Sequence, residues 1–111
     1  MLDTNHHRRR TSRRMEDPEF RAEYERAARE IAQVDAVMRN LDALRQAHEL
    51  SKAELARRVH RNPSSIRRVF TQQVNPELLL VAQLAESLDA DIKIVPRKQA
   101  DRRRVRELTA A

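Results

Sequence analysis

Glycine occurs nowhere in the 111 residues, and cysteine and tryptophan are missing as well. Without glycine there is no phosphate-cradling loop, because such a loop brings backbone to the ligand where a Cβ would stand. Without cysteine there is neither a disulfide framework nor a thiolate metal site, a composition that suits a reducing compartment. The aromatic side chains are Phe20, Tyr24 and Phe70 alone, so the core must be small and made of Leu, Ile, Val and Ala. A core that thin often needs a second copy to finish burying its apolar faces. No apolar run is long enough to span a bilayer or act as a signal peptide, and the expectation is a soluble, cytoplasmic, single-domain protein with no membrane partner.

Catalytic constellations are equally scarce. His60 and Ser64 stand four apart, but no carboxylate is placed to orient the ring as a base. His6 and His7 are adjacent without other ligand types nearby, which makes no metal site. No paired carboxylates with an acid–base role stand out. The expectation is therefore a non-enzyme with no cofactor and no metal.

What the chain has is charge, 36% of its residues, with a net charge of +6 arranged in blocks. Residues 1–14 are basic, 15–50 acidic, 51–75 basic, 76–91 acidic and the last twenty basic. Alternating blocks suggest separate surfaces for separate partners. In the third block only Glu54 opposes Lys52, Arg57, Arg58, Arg61, Arg67 and Arg68.

That block also carries the clearest structural pattern. Ser51 followed by Glu54 is a capping box, and Leu55, Ala56 and Val59 form the apolar stripe of the helix it opens. Asn62-Pro63 starts a second helix as cap plus first-turn proline, with Ile66, Val69 and Phe70 as its inward face. Small Ala56 allows close approach, and the turn falls at His60. This is helix-turn-helix spacing, in which the second helix is presented to the major groove of DNA. Pro63, Ser64, Arg67 and Arg68 lie on its outer side, where arginine can fork onto guanine O6 and N7. Ser51, Lys52, Arg57, Arg58, Arg61, Ser65, Gln72 and Gln73 are expected at the DNA backbone, where neutralised phosphates make affinity fall with salt.

Upstream, Asp17-Pro18 opens a helix in which Phe20, Tyr24, Ala27, Ile31, Val34, Met38 and Leu41 recur at spacings of four and three, a heptad-like stripe. The pattern to His48 fits one long helix or two with a break near Ile31–Val34. Asp35 to His48 occupies the place of the helix that precedes a helix-turn-helix, so Pro18–Glu30 is an addition. It is either another layer of core or a docking helix for a basic partner, with Phe20, Tyr24, Glu19 and Glu23 as its contact residues. Downstream, Asn75-Pro76 reads as a third cap-plus-proline start, before a wide apolar face of Leu78, Leu79, Leu80, Val81, Leu84, Ala85 and Leu88. Ile92-Lys93-Ile94-Val95, stopped by Pro96, reads as a short strand whose open edge is expected to pair with a second copy. Residues 1–14 read as a mobile basic arm, a phosphate-tracking element or a solvated tail, and residues 97–111 as a frayed basic tail.

The motif at Leu50, Ser51, Leu55, Ala56 and Ile66 resembles the Xre/Cro family of helix-turn-helix repressors. His60 departs from the family's glycine, at a position that needs a left-handed backbone. With the Asp17-Pro18-Glu19-Phe20-Arg21 start, residues 16 to 96 are similar to HigA-type antitoxins. The resemblance implies a homodimer that represses its own toxin–antitoxin operon at a palindromic operator and holds a RelE/HigB-type ribonuclease toxin inactive, with the acidic 15–50 block facing the basic toxin. It implies an all-α, lambda-repressor-like helix-turn-helix bundle with an extra N-terminal helix and a short C-terminal β-strand used in dimerisation. The divisions expected are an arm (1–15), an N-terminal helix (16–34), the DNA-binding domain (35–91), a dimerisation strand (92–96) and a tail (97–111). A free-standing Xre/Cro-type repressor and an RNA-binding accessory protein are the alternatives.

Overall fold

The computed structural model describes residues 4–72 and 75–110, with the side chains of residues 4–7 and 11 outside the description. Six helices follow one another: α1 (Thr4–Arg14), α2 (Pro18–Ala47), α3 (Lys52–Arg58), α4 (Pro63–Thr71), α5 (Leu78–Ser87) and α6 (Gln99–Thr109). α2 is a single unbroken helix of 30 residues that runs across the division expected at 34/35. Asp17 caps it by accepting from the Glu19 amide at 3.0 Å, and Pro18 occupies the first turn. Only its carboxyl half enters the core. Leu41 is buried and Met38 and Leu44 pack at the edge, whereas Tyr24 and Ile31 are each 51% exposed.

The core lies among the end of α2, α3, α4 and α5. Leu55, Ala56, Ile66, Leu84 and Leu88 fill its centre, with Leu50, Leu80, Val81 and Ala85 around them. α3 and α4 pack most closely on each other, and each also touches a neighbour, α4 on α2 and α3 on α5. Arg45 fixes the corner between α2 and α3, with its Nη1 donating to the Leu50 carbonyl at 2.7 Å and its Nη2 paired with Asp42 at 2.9 Å.

Three helices end without glycine in the motif that usually employs it. After α2, α3 and α5 the chain turns through Glu49, His60 and Asp89, at φ 58°, 56° and 55°. In each turn the next residue's amide closes back onto the helix: Leu50 to Arg45, Arg61 to Ala56 and Ala90 to Ala85, at 2.9–3.1 Å. These are Schellman ends, and the paired inner bonds (Glu49 to Gln46, His60 to Arg57, Asp89 to Glu86) are also formed.

The expected C-terminal strand is not formed. Ile92, Lys93, Ile94 and Val95 run without regular structure, and Ile94 is 93% exposed. A strand exists only through a neighbour that takes up its N–H and C=O groups, and among the described residues no second strand is present. The fold is helical, without the strand-bearing architecture expected of it. Beyond Pro96 the chain folds into α6 instead of fraying, with Arg102 Nε donating to the Pro96 carbonyl at 2.6 Å. Residues 4–14, expected as an arm, likewise form a helix.

Two further expectations shift. α5 begins at Leu78 with Glu77 as an unbonded cap, not at Asn75-Pro76; Asn75 and Pro76 instead line an apolar cavity against α2. Leu78 and Leu79, expected in the buried face, stay outside, Leu78 at 73% exposure.

Candidate nucleic-acid interface

α4 is built for one face inward. Asn62 Oδ1 accepts from the Ser64 amide at 2.8 Å, Pro63 stands in the first turn, and Ile66 is completely buried. Val69 and Phe70 pack at the edge of the core. With that face anchored, Pro63, Ser64, Ser65, Arg67, Arg68, Thr71 and Gln72 are all exposed. The helix is nine residues long, and a helix's diameter of roughly 10–12 Å with side chains matches the ~12 Å width of a major groove.

Arg67 Nη2 reaches Ser64 Oγ at 3.4 Å, a long contact that leaves the guanidinium directed along the outer surface. Among the described residues neither Arg67 nor Arg68 forms an ion pair, unlike Arg45 with Asp42 and Arg104 with Glu107. Glu54, the single acid of the block, is committed elsewhere. Its carboxylate accepts from the Ser51 amide at 3.2 Å while its own amide donates to Ser51 Oγ at 3.0 Å. The Ser51 backbone and hydroxyl hydrogen bonds, with smaller help from Arg57 and Arg58, hold the Glu54 carboxyl below the usual carboxylate range.

The expected backbone-contacting residues divide. Arg57 and Arg58 are exposed in the last turn of α3, and Ser65 and Gln72 are exposed on α4 and just beyond it. Lys52 is half-buried, and Ser51 is exposed, its Oγ accepting from the Glu54 amide in the capping box while its O–H is still a donor. Arg61 is turned inward, with Nη2 donating to Gln83 Oε1 of α5 at 3.1 Å. Sequence reasoning missed this bond. Its one signal was Gln83, a polar residue amid the apolar face of α5. Gln73 lies outside the described residues.

Of the expected docking residues, Phe20 is half-buried, with the Arg14 guanidinium 5.7 Å above its ring and Tyr24 beside it at 6.4 Å. Glu19 and Glu23 are exposed. Among the described residues no group of three or more His, Asp or Glu side chains could hold a metal, and no helix is long and apolar enough to cross a membrane. Comparison with protein-family models, curated proteins and solved structures finds no match.

Proposed function

We propose that the protein is a sequence-specific duplex-DNA-binding regulator that inserts α4 into the major groove and acts as a dimer on a palindromic operator. The observation that carries this reading is the outer face of α4. Ser64, Arg67 and Arg68 stand exposed on a helix locked from behind by Ile66, and no carboxylate of the described chain neutralises the arginines. Preorganised, uncompensated guanidinium groups at the scale of a groove suit guanine edges. Arg57 and Arg58, close by at the end of α3, suit the flanking phosphates. The antitoxin half of the resemblance requires a second face for a basic ribonuclease, and DNA binding does not depend on it.

Selection from a random duplex pool tests the reading. The expected product is a two-fold site with half-sites about one helical turn (~34 Å) apart. Arg57→Ala should weaken binding to every duplex alike and lower the salt slope by about 0.9. A pool that fails to converge, with structured RNA outcompeting duplex DNA, would support the RNA-binding alternative instead.

A further inference from the structure

The apolar stripe of α2 runs toward its amino end well beyond Met38, where the helix meets the edge of its own core. From Phe20 to Met38 the residues alternate steps of four and three, so that Phe20, Ala27 and Val34, and likewise Tyr24, Ile31 and Met38, repeat every seven residues, the repeat of a helix that winds against another helix. α2 is continuous throughout, so the stripe is a straight seam roughly 27 Å long. Along it Tyr24, Ile31 and Val34 remain exposed, as does Val37 beside it.

We propose that this seam pairs with the same seam of a second copy, antiparallel, with Phe20 on the partner's Met38, Tyr24 on the partner's Val34 and Ala27 on the partner's Ile31. The pattern is self-complementary in that register. Each layer sets a larger side chain against a smaller or unbranched one, and the two-fold axis repeats every layer. On the flank, Arg21 meets the partner's Asp35, twice by symmetry, and Ala28 meets the partner's Ala28 at the axis. One like-charge meeting occurs, Glu30 with the partner's Glu30, where Arg26 lies one turn back on the same helix. A parallel pairing instead sets Glu30 against the partner's Asp35 twice, the costlier choice.

Two features of the structure fit the antiparallel register. Beside Met38 lies an apolar cavity of about 230 Å³ lined by Val34, Val37, Pro76, Leu78 and Ile92, placed to receive the Phe20 ring of the second copy. Length agrees as well. α2 begins at Pro18, which in this register faces residue 40 of the other copy, one residue before Leu41 passes into its own core. The paired helix therefore stops where the seam is covered. A basic ribonuclease of the kind the resemblance implies would match the acidity of this helix, but not its seven-residue repeat or its self-matching charges.

The chain has no cysteine, so single substitutions report pairing cleanly in the intact protein without DNA. Ala28→Cys should oxidise to a covalent dimer, and Ala36→Cys, on the opposite side of α2, should not. Arg21→Asp or Asp35→Arg alone should weaken self-association by roughly tenfold, and the two together should restore it, as read by light scattering or sedimentation. If Ala28→Cys links no better than Ala36→Cys, or the double charge swap restores nothing, the pairing is wrong. A single-chain mass throughout would overturn it too, and would leave the seam to a basic protein. A failed link or failed charge swap with a dimeric mass leaves the DNA-binding reading intact, whereas a single-chain mass would remove its dimer but not the contact of α4 with the groove.

Discussion

Glu49, His60 and Asp89 each hold a left-handed backbone that costs a side-chain-bearing residue roughly 1–2 kcal/mol. They do so because the following amides must close the helix ends, and because Leu50 and Ala90 then drop onto the core. Replacing all three by glycine should relieve that cost, less roughly 0.5–1 kcal/mol per site for the greater freedom of the unfolded chain. The expected net gain is about 1.5–3 kcal/mol for the triple variant, seen as a higher denaturant midpoint at unchanged slope. A lower midpoint would mean that these side chains make compensating interactions. His60 was readable in advance because the spacing demanded a turn there, whereas Glu49 and Asp89 carry no local signal without glycine to mark them. Arg61 shows the converse limit. Its charge suggested phosphate, but its direction was set by a single hydrogen-bond acceptor 22 residues away on α5.

Among the elements, α2, α3 and α4 were legible because each combines a helical apolar stripe with a recognisable start, and α5 by its apolar stripe alone. Ser51 and Glu54 define the start of α3, and Asn62 and Pro63 that of α4, by short-range bonds that need no tertiary partner. The misreadings fall where the stripe is weak. α1 and α6 are rich in arginine, a good helix former, yet have little apolar face to reveal them. Residues 92–95 have strand composition but no neighbour, and composition alone cannot supply one. Leu78 and Leu79 look buried by type, but Leu79 falls on the outer face of α5 with Ala82 and Glu86, and Leu78 is the first residue of the helix. The α3 start also yields a pH dependence. Glu54 is held below its unfolded value by the capping box, so its contribution is present at neutral pH and is lost as acid protonates it through the folded value. Glu54→Gln, which can keep the box geometry, should flatten the fall in stability below about pH 4.5, a carboxylate's ordinary range. An unchanged acid limb in that variant would place the acid sensitivity elsewhere.

At the scale of the whole molecule the chain is spread out. Its radius of gyration is 18.9 Å, against about 13 Å for a compact chain of this length. The excess comes from helices that leave a small four-helix centre: the amino half of α2 with α1 before it, and α6 after an extended segment. Such a form gives up core for surface. The central claim is that α4 reads base sequence through Arg67 and Arg68, and that the other cations supply general attraction to phosphate. The most direct measurement is the ratio of affinities for a selected duplex and an unrelated duplex at fixed salt, compared between the natural protein and an Arg67→Ala/Arg68→Ala variant. Each lost base contact should cost roughly 1–3 kcal/mol of discrimination, so the ratio should collapse toward one while binding to the unrelated duplex persists. A ratio that survives the double substitution, with affinity falling equally on both duplexes, would contradict the account.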